Sequence, residues 1–175
     1  AELVLKKHPR DTQVFDLFWK LYQQERVAHP QQPLFFFVLT LRQHGPHMTP
    51  LKKLPAPYRQ ALFPGQFSRS NRALDDWLNL NAANYLARNA ESDVALQALE
   101  SRLLDRATPS ILMHFGDHQP AFDGAIMVVS RQLPPGWGDK GHWATYYMLK
   151  SNIPGARRFE YPMLDIVYLG GLLLD

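Results

Sequence analysis

The sequence predicts an α/β layered domain with a mostly parallel sheet. Three observations carry this. Residues 34–41 form an eight-residue apolar run, two further short apolar runs follow near 110–115 and 145–150, and segments with helical spacing alternate with them. An apolar run without polar alternation reads as a strand covered on both faces, the usual condition of a parallel sheet.

The elements follow in order. From Asp11, read as an N-cap, apolar residues fall at Val14, Phe15, Phe18, Leu21 and Tyr22, one face of a helix that ends near His29-Pro30. Pro33 then releases the first predicted strand, 34–41. Residues 43–69 hold five prolines and two glycines and read as a long irregular excursion; loops of that length are uncommon unless they serve a function. A second helical region covers about 70–104, with a break expected at Asn79–Asn81. Thr108-Pro109 stops it, and 110–115 is the second strand. The third strand is 145–150, and a closing helix from Tyr161-Pro162 is expected to bury Leu164, Val167, Tyr168 and Leu172.

Composition narrows the function classes. Of 175 residues, 46% are hydrophobic and 20% charged, which excludes a disordered or collagen-like chain. The net charge of +3 is mild, and the basic residues come in pairs (Lys6-Lys7, Lys52-Lys53, Arg157-Arg158), so no nucleic-acid partner is implied. Cysteine is absent, which removes disulfides, thiolate metal sites and Cys nucleophiles from this chain. No stretch reaches the roughly 18 apolar residues of a membrane span. The chain opens Ala1-Glu2-Leu3 without a basic leader and stops within an apolar pattern at Leu174-Asp175, so it reads as a piece of a longer protein.

In open α/β sheets, ligands bind outside the carboxyl ends of strands. Two predicted strands carry polar clusters there: Arg42-Gln43-His44-Gly45-Pro46-His47 after the first, Gly116-Asp117-His118 after the second. An adjacent Asp-His pair suits a divalent metal with mixed oxygen and nitrogen ligands, zinc or manganese. Gly116 would let the backbone turn sharply enough to aim both. The structural alternative has Asp117 capping a turn and His44 and His118 as loop residues. His114 reads as structural, and His8, His29 and His142 as solvated. Trp137, Trp143, Tyr146 and Tyr147 suit either a sugar or lipid groove or plain packing. No Gly-x-Ser-x-Gly elbow, P-loop or Gly-x-Gly-x-x-Gly occurs, so the chain offers half a metal site and no attacking group.

Together the clusters resemble a known family. Pro33 through Pro46, ending in Arg42-Gln43-His44-Gly45-Pro46, resembles a strand and substrate-side histidine turn of the sulfatase branch of the alkaline phosphatase superfamily. Thr108 through Pro120, with Gly116-Asp117-His118-Gln119-Pro120, resembles its later metal-binding strand, and the order of segments agrees over nearly all of the chain. Gln119-Pro120 is most similar to lipoteichoic-acid-synthase-like and polysaccharide-modifying members. The resemblance implies a partial three-layer α/β/α sandwich, with 1–175 as the C-terminal portion of the catalytic domain and the nucleophile in an absent N-terminal half. It implies Asp117 and His118 as metal ligands and His44 as a residue facing the transferred group. The metal implied is zinc or manganese, with calcium or magnesium as alternatives. The implied substrate is a phosphate or sulfate ester of the cell envelope, and the implied parent is membrane-anchored at the extracytoplasmic face of the inner membrane. The contrasting expectation is a non-catalytic α/β interaction module.

Overall fold

A computed structural model describes residues 9–120, 144–156, 161 and 164–173. Among them are two α-helices, α1 (Asp11–Ala28) and α2 (Arg72–Leu104), and two strands, β1 (Ile111–Phe115) and β2 (Tyr147–Ser151). Four 3₁₀ turns, at Leu51–Lys53, Ala56–Tyr58, Ile166–Tyr168 and Gly171–Leu173, complete the regular structure.

α1 begins where its apolar spacing begins, but the N-cap is Arg10 and Asp11 is the first helical residue. Gln13 Oε1 accepts the Arg10 N–H at 3.0 Å, and the Asp11 carboxylate lies in the first turn, where the helix dipole favours a negative charge. The stripe buries Phe15 and Tyr22. Phe15 joins Ala95, Leu99 and Leu103 of α2 in the main core cluster, with Phe18, Trp19 and Leu112 of β1 packed around it.

α2 runs unbroken for 33 residues through the predicted break. Its asparagines turn their amides onto the helix's own carbonyls: Asn79 Nδ2 donates to Asp75 O (3.0 Å), Asn81 to Trp77 O (2.8 Å) and Asn84 to Leu80 O (2.8 Å). Asn is a weak helix former because its side chain competes for backbone groups, and here that competition is satisfied inside the helix. Asn79 and Asn84 also hold the irregular excursion. Asn79 accepts the Phe63 N–H (2.7 Å) and donates to the Phe63 carbonyl (3.1 Å). Asn84 does the same for Thr49, at 3.1 and 2.9 Å. One turn before, the Asp75 carboxylate accepts the N–H groups of Gly65, Phe67 and Ser68 at 2.8 to 3.1 Å. These bonds, led by Gly65, hold its carboxyl below the ordinary carboxylate range. Leu54 of the excursion packs on Ala83 and Ala87 beneath them.

The fold class predicted from sequence is corrected. The described sheet has two strands and they are antiparallel, Ile111 opposite Ser151 and Phe115 opposite Tyr147. This is not a three-layer α/β/α sandwich with a mostly parallel sheet. Residues 34–41, expected as a central strand parallel to 110–115, lie outside any strand. Phe36 packs on Phe18 (5.2 Å between ring centres) and Tyr22 (6.3 Å), while Phe35 and Phe37 are 79% and 70% exposed. Apolar composition favours extended backbone, but only neighbouring strands make a sheet, and none pairs with this run among the described residues. The second and third strands stand within two residues of their expected positions. Asn152, just after β2, fixes their placement by accepting the Ser110 N–H (2.7 Å) and donating to the carbonyls of Arg106 (2.8 Å) and Thr108 (3.0 Å). The closing helix is two short turns instead; Leu169 and Leu172 are buried while Val167 and Tyr168 face solvent. Trp137, Trp143, His8, His142 and the pairs Lys6-Lys7 and Arg157-Arg158 fall outside the described residues.

Asn84→Ala leaves both backbone groups of Thr49 without their partner. The expected loss is about 2–3 kcal/mol in urea unfolding, the cost of buried unsatisfied polar groups.

Candidate functional site

The two polar turns singled out from sequence are both built by contacts that reach beyond them. The His44 turn is held by Arg88, in the middle of α2. Its guanidinium donates to three carbonyls, Arg42 O (3.4 Å), His44 O (2.8 Å) and Pro46 O (3.0 Å). Gln43 donates to the Asp11 carboxylate and to the Ser92 hydroxyl, which ties the same turn to α1 and α2. The Gly45–Pro46 peptide is cis. His44 is exposed, and its Nδ1 meets the Gly45 carbonyl at 3.0 Å. A carbonyl only accepts, so Nδ1 carries the proton and Nε2 is the basic nitrogen.

His47, in the same turn, behaves differently. It is buried, edge-on to Tyr85 at 5.8 Å. Burial, then the Arg88 charge and His44, pushes its pKa from 6.5 down to about 4.

At the end of β1, Asp117 Oδ1 accepts the His118 N–H at 2.9 Å, and His118 Nδ1 donates to the Gln119 carbonyl at 2.8 Å. That fixes Nε2 as the lone-pair nitrogen, 3.6 Å from Asp117 Oδ2. Two ligands about 2.1 Å from a tetrahedral metal stand roughly 3.4 Å apart, so this pair has the bite of two adjacent ligands. Among the described residues, no three His, Cys, Asp or Glu side chains gather to hold a metal ion. The pair therefore fits two positions of a coordination shell. Gly116 does not act through a left-handed backbone; the positive-φ glycines among the described residues are Gly65 and Gly155. It acts by space, because a Cβ there would strike the Thr145 hydroxyl.

His114 sits between the two turns in chemistry. Its ring lies 5.3 Å from that of Tyr146, and burial lowers its pKa against the opposing pull of Asp11 and Asp93. Burial, with Tyr85, Asp93 and Asp11 nearby, raises the Tyr146 hydroxyl. Tyr85 thus borders His47 on one side and influences Tyr146, next to Gly116, on the other. Arg88, which positions the His44 turn, and Tyr146 were not singled out for these roles in the sequence. Arg88 occupies an ordinary helical position, and no local spacing marks a guanidinium whose partners lie 42 to 46 residues away.

An uncharacterized protein of Haemophilus influenzae is 30% identical over 155 residues, covering 87% of this chain and 25% of the relative. The chain spans about a quarter of that relative's length. No family model and no solved structure matches. Among the described residues, no helix is long and apolar enough to cross a membrane.

Two outcomes are expected. Because His47 has a lower pKa folded than unfolded, the unfolded chain takes up its proton first, and stability falls as pH drops from 6.5 toward 4. Urea midpoints across that window should slope less in His47→Gln than in the parent. Gly116→Ala should destabilise the hairpin by about 1 kcal/mol through overpacking, and Thr145→Ala in the same chain should restore most of it.

Proposed function

We propose that residues 1–175 are the C-terminal portion of a metal-dependent enzyme acting on phosphate or sulfate esters, of the sulfatase-like kind that the Gly116-Asp117-His118 and His44-Gly45-Pro46 turns resemble. The observation that carries this reading is the Asp117–His118 pair, with a carboxylate oxygen and a tautomer-fixed imidazole nitrogen 3.6 Å apart at an exposed strand end. These two side chains would hold zinc or manganese, which when bound polarises the ester oxygens. His44, with Nδ1 engaged by Gly45, would turn Nε2 to the transferred group, and Arg88 holds its turn in place. A preformed site of this kind adds no reorganisation during reaction. The nucleophile and the remaining ligands would come from polypeptide outside 1–175, at the extracytoplasmic face of a membrane, with envelope lipid or polysaccharide esters as substrates.

A second reading has a specific observation in its favour. Phe35, Phe37 and Leu39 are 79%, 70% and 60% exposed within five residues, which suits a non-catalytic interaction module.

Variants in the full-length gene product that carries these residues separate the two. Asp117→Ala is expected to abolish ester turnover and metal retention together. His44→Ala should lower turnover about 100- to 1,000-fold with metal content intact, as when one preorganised donor is removed. Turnover and metal content both unchanged in Asp117→Ala exclude the metal reading, and a full-length product with neither ester turnover nor retained metal favours the interaction module.

A further inference from the structure

Away from the Asp117 turn, one cleft gathers several cationic side chains. It has a volume of about 580 Å³ and lies among the start of α1, the first two 3₁₀ turns and the middle of α2. Five cationic side chains line it, Arg10, Arg42, Lys53, Arg59 and Arg88, against one carboxylate, Glu91. Glu91 is already engaged twice. Its Oε2 accepts from Arg42 Nε (3.0 Å) and Nη2 (2.7 Å), and its Oε1 lies 3.3 Å from Arg10. Among the described residues, Lys53, Arg59 and Arg88 form no ion pair with a carboxylate, although the Glu91 charge acts on Arg88. Arg88 has its guanidinium on loop carbonyls, which accept hydrogen bonds but do not neutralise it. Burial and then the neighbouring Arg42 weaken its hold on its proton, against the opposing pull of Glu91. Arg59 uses only Nε, donating to Leu54 O at 2.9 Å. Among the described residues, its terminal nitrogens and the Lys53 ammonium have no acceptor.

Gathering like charges around a concave surface is unfavourable unless an anion shares it, and the field of such a cleft draws anions in. The donors left open are an Arg fork and a Lys ammonium, the pair that suits a tetrahedral oxyanion: a planar bidentate donor and a point charge. The volume falls within the range of small-molecule sites, well above what one bare oxyanion fills. The wall supplies what a carbon group would meet, since Leu54, Pro55 and Ala87 also line the cleft. We infer that this cleft binds an organic phosphate or sulfate monoester, with the oxyanion on Lys53 and Arg59 and the organic part against Leu54 and Pro55. The inference does not rest on the metal reading: Lys53, Arg59, Leu54 and Pro55 are distinct from Asp117, His118 and His44, though Arg88 both lines the cleft and holds the His44 turn.

Calorimetric titration of the 175-residue chain at low salt tests it, with phenyl phosphate and inorganic phosphate as soluble probes. One site is expected, tighter for phenyl phosphate. Lys53→Ala and Arg59→Gln, both at exposed positions, should each weaken it about tenfold, as for a hydrogen bond to a charged group. Lys53→Glu should abolish it. Circular dichroism of each variant checks that the helices persist. A parallel arm uses phosphatidylcholine vesicles with and without phosphatidic acid. Binding only to phosphatidic acid vesicles, lost in Lys53→Glu, assigns the phosphate to a lipid headgroup; binding of phenyl phosphate assigns a soluble ester. No binding in either arm, or affinity unchanged in both Lys53→Ala and Arg59→Gln, overturns the inference.

Discussion

The paired amides of Asn79 and Asn84 on α2 are the interaction on which the rest of this structure depends. Each closes a two-way hydrogen-bonded bridge to one residue of the 43–69 excursion, Phe63 and Thr49 respectively. A loop rich in proline cannot satisfy its own backbone through a helix or sheet ladder, because proline lacks the donor and restricts its neighbour. The helix therefore supplies partners from its side chains. Both asparagines are nearly solvent-free, at 1% exposure, so these bonds form where water does not compete. With the loop pinned at two points, Leu54 can settle on Ala83 and Ala87, small residues that let the loop approach the helix closely.

The same helix then organises charge. Arg88, one turn beyond Asn84, fixes the carbonyls of the His44 turn, and Glu91, three residues further, gathers Arg10 and Arg42. At its C-terminal end, Glu100 meets Lys150 of β2 at 2.7 Å and Leu104 O accepts from Asn152, so the hairpin hangs from the last turns of α2. The His44 turn and the β1–β2 pair are thus both anchored to α2. The electrostatic asymmetry follows from the same arrangement. A chain whose formal net charge is only +3 places five cationic side chains around one cleft, because the loop and both helices contribute to it at once.

Local signals made part of this legible. The stripe Val14, Phe15, Phe18, Tyr22 set α1 almost to the residue, and the short runs 110–115 and 145–150 marked β1 and β2 to within two residues. The Gly-Asp-His and His-Gly-Pro-His clusters drew attention to turns that the structure shows as organised. The errors have physical causes. Asn79 and Asn81 looked like a helix break because what holds them, amide hydrogen bonds to the helix's own carbonyls and, for Asn79, to Phe63 of the distant loop, leaves no mark in the local pattern. Residues 34–41 looked like a buried central strand because hydrophobicity reports a tendency to leave water, not the partner that removes the run from it.

The sequence alone determined the apolar face of α1, the strand runs near 110–115 and 145–150, and the two polar turns, all properties written within a few neighbouring residues. Tertiary structure alone decided that β1 and β2 pair antiparallel, that Arg88 clamps the His44 turn, that His47 is buried beside that guanidinium and His44 is exposed, and that dispersed basic residues converge on one cleft. Each of these joins groups tens of residues apart, and pairing at that separation is selected by packing and electrostatics of the folded whole rather than by the chain's local preferences.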